Sequence, residues 1–157
     1  MLRRRGWFLA IDINPHACRT TAETMRRNRV RAGDVMQGDL TQCCQARMAG
    51  KLDILIFNPP YVPTPQSELL GEGISRSWAG GEKGREILDM LLPQVQHLLA
   101  PRGVFYCVLL SSNVPDEVAA ILQAQGGFKA EMVLRRKAGI EDLQIVRYWR
   151  PQNEDTQ

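Results

Sequence analysis

The residues Asn58-Pro59-Pro60-Tyr61, at the end of the apolar run Leu52 to Phe57, carry the most specific chemistry in this sequence. The Asn58 side-chain oxygen and the Pro59 carbonyl can each accept one N–H of a planar NH2 group. The Tyr61 ring can stack on a flat amide or base. An NH2 of that kind is a poor nucleophile because its lone pair is delocalised. Fixing its plane and aiming its nitrogen at an electrophile is catalysis by orientation, with hydrogen-bond acceptors placed in advance. Neither a metal nor a general base is needed at that point. Taken alone, Asn-Pro-Pro-Tyr also reads as a strand stop and turn. Directly after an apolar strand, the chemical reading is favoured.

The strand itself, broken only by Asp53, reads as one buried on both faces. Proline ends it by removing a ladder donor and holding the preceding residue extended. Ligands of open parallel sheets bind at the carboxyl ends of strands. Trp7 to Ile11 is a second buried strand, ending at Asp12. Asn14 and Pro15 then suit the N-cap and first position of a helix. Cys18, Thr21, Ala22 and Met25 share one of its faces, and the polar run from Arg26 to Arg29 closes it. Val35-Met36 is a short strand, followed by Gly38-Asp39-Leu40 and a weak helix over Gln42 to Met48. Val62 to Lys83 is a long loop of the kind that serves as a lid or stays disordered.

From Arg85, the positions Ile87, Leu88, Leu91, Leu92, Val95, Leu98 and Leu99 keep helical spacing, with a kink expected at Pro93. A turn at Pro101-Arg102-Gly103 leads into a buried strand, Val104 to Leu110. Pro115-Asp116-Glu117 opens a helix that runs to Gly126-Gly127. Lys129 to Arg136 and Leu143 to Trp149 form a hairpin about Ala138-Gly139. This order predicts an α/β fold: a doubly wound, mostly parallel sheet with a C-terminal antiparallel hairpin. One domain over residues 1–151 and a polar tail over 152–157 fit the length of 157 residues.

Apolar residues at 44% and charged residues at 24% are ordinary for a soluble globular protein. The net charge of +3 comes from clusters such as Arg3-Arg4-Arg5 and Arg135-Arg136-Lys137. Solvated faces explain these better than a nucleic-acid groove. Cys18, Cys43, Cys44 and Cys107 lack metal-ligand spacing and read as free thiols in a reducing compartment. No apolar run reaches membrane-spanning length, and the one near Met1 is too short for a signal peptide. The expected setting is cytoplasmic, with the nucleus as a second compartment.

Phe57-Asn58-Pro59-Pro60-Tyr61-Val62, followed by Trp78-Ala79-Gly80-Gly81-Glu82-Lys83-Gly84-Arg85-Glu86, resembles the HemK family of protein-glutamine methyltransferases. The second motif is similar to that of its eukaryotic and archaeal branch. The resemblance runs from about Phe8 to about Trp149. The C-terminal hairpin is likewise the usual ending of class I S-adenosylmethionine-dependent methyltransferases with a Rossmann-like sheet. The resemblance implies methyl transfer from S-adenosylmethionine to the side-chain amide of a glutamine in a class I peptide-chain release factor. Asn58 and Pro59 would hold the amide, and Pro60 and Tyr61 would line the pocket. Asp12 with Ile13 would meet the cofactor's ribose and Asp39 with Leu40 its adenine, with Asn58 bordering the cofactor as well. From the residues alone, the favoured readings are a turn into a helix for Asp12 and an ordinary loop acid for Asp39. Gly80, Gly81 and Arg85 either shape a substrate lid or end the loop and begin a helix.

The family opens with a strand and a Gly-x-Gly-x-Gly turn whose backbone approaches the cofactor. No such pattern precedes Trp7, and Gly71, Gly73, Gly80 and Gly81 do not follow a strand. An N-terminally incomplete form is therefore expected, lacking the first strand and with no regular ladder between Phe8–Ile11 and Leu55–Phe57. The resemblance also implies a small zinc-binding activator protein that adds a strand at the Val35-Met36 edge. Two other functions share these residues. One is N6-methylation of adenine in nucleic acid, which requires base flipping and a gripped strand. The other is a catalytically inactive form that only binds a partner.

Overall fold

A computed structural model describes residues 6–64, 80–81, 83–139 and 141–152. The chain divides into two compact units, one ending at Arg47 and the other beginning at Met48.

The first unit is a β-α-β crossover. Strand β1 (Phe8–Asp12) pairs in parallel with β2 (Gly33–Gln37), Ala10 opposite Val35 and Asp12 opposite Gln37. Helix α1 (Pro15–Arg27) connects them. It starts where the sequence predicts, because the Asn14 side chain accepts from the His16 N–H at 2.8 Å and Pro15 has no N–H to lose. Arg29 at φ 55° turns the chain out of the helix. Cys18, Thr21 and Met25 are half-buried as one stripe, whereas Ala22, expected beside them, is exposed. The weak helix contracts to one turn, α2 (Gln45–Met48), at the boundary of the units.

The second unit is a four-stranded sheet in the order β3 (Leu52–Phe57), β4 (Leu99–Leu110), β6 (Glu141–Trp149), β5 (Lys129–Ala138). β3 and β4 are parallel, and β4, β6 and β5 are antiparallel to their neighbours. Helices α3 (Glu86–Leu98) and α4 (Pro115–Gly126) bury Leu88, Leu91, Leu92, Val95, Val118 and Leu122. The sheet contributes Phe105, Cys107, Leu109, Val146 and Tyr148, with Phe105 and Tyr148 stacked at 5.6 Å between ring centroids. The hairpin stands where the sequence puts it. β4 starts earlier than expected, at Leu99, and its register shifts between the Leu52–Leu99 and Ile54–Val104 pairs.

Three expectations change. The strands belong to two sheets rather than one; among the described residues no ladder joins β1 to β3, in line with the gap expected between Phe8–Ile11 and Leu55–Phe57. β3 is not buried on both faces: Ile54 is 41% exposed and Ile56 is 72% exposed. The register explains why. Leu55 pairs with buried Phe105 and Phe57 with buried Cys107, so alternation turns Ile54 and Ile56 to the opposite face. β1 is likewise only half-buried, with β2 as its one hydrogen-bonded neighbour among the described residues. Most of the long loop, with Trp78, Ala79 and Glu82, lies outside the described residues.

Candidate active site

At the carboxyl end of β3, Asn58 is exposed and its amide makes no hydrogen bond among the described residues. Pro59 behind it is buried, and Pro60 and Tyr61 are half-buried. The turn thus presents acceptors with no partner among the described residues, on a fixed backbone. What fixes it is the second motif. The Gly80 N–H donates to the Val62 carbonyl at 2.9 Å, and the Thr64 N–H donates to the Gly81 carbonyl at 2.9 Å. The Gly80 carbonyl in turn accepts from the Glu86 N–H at 2.9 Å, at the start of α3.

Glycine is required in this clamp. A Cβ at Gly80 would strike the Pro60 carbonyl oxygen, and one at Gly84 would strike that of Tyr61. Gly84 also has φ 65°, a left-handed conformation that favours glycine. Gly80, Gly81 and Arg85 therefore end the loop, begin α3 and brace the Asn-Pro-Pro-Tyr turn.

Arg85 is a structural centre that the sequence does not reveal. It is 7% exposed, with Nη1 donating to Glu117 Oε2 at 2.9 Å and Nε to Asp89 Oδ1 at 3.1 Å. The hydrogen bond from Arg85, helped by the charge of Lys83, holds the Glu117 carboxyl below the usual carboxylate range. Asn113 is the other residue missed. It is fully buried and its Nδ2 donates to the Tyr61 carbonyl at 2.9 Å. Its one signal in the sequence is a polar amide just past an apolar strand, the same placement as Asn58.

In the first unit, β1 ends at Asp12, whose Oδ1 accepts from the Asn14 N–H at 2.8 Å. The Asp12 carbonyl accepts from the Gly38 N–H at 3.0 Å, which brings the ends of β1 and β2 together. Ile13 and Asp39 are exposed and Leu40 is half-buried. Leu40 has φ 48°, an uncommon conformation for a branched side chain. Asp12, Ile13, Asp39 and Leu40 thus form one group, and Asn58, Pro59, Pro60 and Tyr61 another within the second unit.

The first group fits the nucleoside half of the implied cofactor. Asp12 has one carboxylate oxygen bound to backbone and the other without a hydrogen bond among the described residues, an acceptor suited to hydroxyls. Ile13 and Leu40 offer apolar contact for a base. Among the described residues, no group of three His, Cys, Asp or Glu side chains could hold a metal ion, and no helix is long and apolar enough to cross a membrane. The Cys107 thiol, pushed up by burial, sits in the core and takes no part in the site.

No family model matches the chain. It is 41% identical over 148 residues to "Methyltransferase HEMK2" of Mus musculus, covering 94% of this chain and 68% of that protein. It is 39% identical over 147 residues to "eRF1 methyltransferase catalytic subunit mtq2" of Schizosaccharomyces pombe, covering 88% and 62%. Among solved structures it resembles the E. cuniculi Mtq2-Trm112 complex, responsible for the methylation of the eRF1 translation termination factor. That match has a TM-score of 0.62 and 23% identity over 92% of this chain and 84% of the other. The α/β architecture is that of the class I methyltransferases, and this chain belongs to the HemK family of methyltransferases.

Proposed function

We propose that this chain transfers the methyl group of S-adenosylmethionine to the side-chain amide nitrogen of a glutamine in a class I peptide-chain release factor. The observation that carries this reading is Asn58. It is an exposed amide, without a hydrogen bond among the described residues, at the end of a parallel strand, on a backbone braced from behind by Gly80 and Gly84.

When bound, S-adenosylmethionine supplies an electrophilic methyl carbon on a positively charged sulfur. Asp12 would hold the ribose hydroxyls, and Ile13, Asp39 and Leu40 would border the adenine. Asn58 Oδ1 and the Pro59 carbonyl accept the two N–H groups of the glutamine amide, and Tyr61 packs against its plane. These contacts leave the amide nitrogen's π face as its only reactive direction. They also stabilise the positive charge that grows on the NH2 as it is alkylated. The N–C bond would form as the methyl–sulfur bond breaks to leave a neutral thioether, and the surplus N–H proton would pass to water at the exposed Asn58.

The reading includes a partner, a small zinc-binding activator that adds a strand to β2. β2 has β1 as its one bonded neighbour among the described residues, and half-buried Val35 and Met36 offer apolar cover. Met36→Glu should abolish co-purification with such an activator; unchanged co-purification removes this edge as the docking site.

Labelled S-adenosylmethionine offered with release factor and with an adenine-containing oligonucleotide tests the reaction. Label in the release factor supports it. Label in the oligonucleotide alone, or in neither, overturns it.

A further inference from the structure

We infer that Asn113 is a positioning residue for methyl transfer, setting the Asn58–Tyr61 turn through the Tyr61 carbonyl; this rests on that turn being the amide site. The Asn113 side chain is fully buried and fully satisfied. Oδ1 accepts from the Leu110 N–H at 2.7 Å, which fixes the side chain to the end of β4. The two Nδ2 N–H groups are directed at the carbonyls of Tyr61 at 2.9 Å, Lys83 at 3.0 Å and Gly84 at 3.2 Å, with one N–H shared between two of them. One amide therefore joins the ends of β3 and β4 to the glycine clamp, reaching Tyr61 across 52 positions of sequence.

The joint is stiff on its other side too. The Asn113 carbonyl accepts from buried Arg85 at 3.4 Å, and Arg85 is tied to Glu117 on α4. The next residue, Val114, sits at φ 52°, a genuine outlier for a β-branched side chain. Strain of this kind persists where the surroundings over-determine the backbone. A core amide serving packing alone would not need its donors gathered on three loop carbonyls beside the site. Methyl transfer demands an oriented nitrogen, and a misplacement of about 1 Å can cost about a hundredfold in rate.

Two variants disturb the same contact from opposite sides. Asn113→Ala removes the donors, and Gly84→Ala drives a methyl group at the Tyr61 carbonyl. Each should lower kcat for release factor about a hundredfold, with KM and cofactor affinity near wild type. The double variant should fall little further than the worse single one, because both act through one contact. Amide hydrogen exchange, read without substrate, should quicken at Thr64, Gly80 and Gly84 and stay slow along Val104 to Leu109, since in Asn113→Ala the Leu110 N–H loses its own partner. Wild-type kcat in either folded variant overturns the inference, as does exchange that quickens along β4 equally. If Asn113→Ala does not fold, Gly84→Ala decides alone. Unchanged exchange at those three amides overturns the inference whether or not the wild type methylates release factor, so the two readings fail separately.

Discussion

Asp12 commits one carboxylate oxygen to the Asn14 N–H, which shapes the turn into α1. The other oxygen is the one a ribose would use. Asp12→Asn keeps the turn acceptor and loses the charge, so it should weaken S-adenosylmethionine binding by about tenfold, the loss of roughly one charge-assisted hydrogen bond. Calorimetry reads this directly, and unchanged affinity would return Asp12 to the role of a turn residue. The positions of Asp12 and Asn58 at strand ends were legible in the sequence because each ends an apolar run, and strand ends are where α/β sheets bind ligands. Asn113 was not legible as a site residue. Its partners are backbone carbonyls distant in sequence, and no pattern of side chains announces them.

At the level of elements, the caps and periodicities place α1, α3, α4 and the hairpin correctly. Exposure is less readable, because an apolar strand does not state how many of its faces find cover. Ile56→Ala should change stability by no more than about 0.5 kcal/mol, whereas Leu122→Ala, fully buried on α4, should cost about 2–5 kcal/mol. Denaturant titration of the two variants checks the contrast.

The hairpin carries a pH signature of its own. Hydrogen bonds from Arg135, then Ser111, hold the Asp142 carboxyl at about 2, with Arg135 Nε at 2.9 Å and Ser111 Oγ at 2.7 Å. A depressed carboxylate stabilises fully above its unfolded pKa of about 4. That contribution is lost as pH falls from there through about 2. Asp142→Asn should flatten this part of the acid stability curve and leave stability at neutral pH only modestly lower, since Arg135 is exposed and solvent screens the pair. An unchanged acid limb in the variant would assign the loss to other carboxylates.

Across the whole molecule, Asp12, Ile13, Asp39 and Leu40, the residues proposed to face the cofactor, lie in the first unit. Asn58, Pro59, Pro60 and Tyr61 lie in the second. The order of elements was readable from periodicity, and the break between β1 and β3 was expected from the missing Gly-rich opening of the family rather than from any local trace in composition. The division has a mutational consequence: loss of substrate orientation and loss of cofactor binding should separate by position.

The most direct measurement is therefore Asn58→Ala, assayed for labelled methyl transfer to release factor beside a calorimetric titration with S-adenosylmethionine. Losing a preorganised acceptor costs about a hundredfold or more in rate, so transfer should be abolished at ordinary enzyme concentrations. Cofactor affinity should stay near the wild-type value. A variant that keeps about a third of the activity would contradict the claim that Asn58 holds the reacting amide, because loss of such an acceptor cannot cost so little.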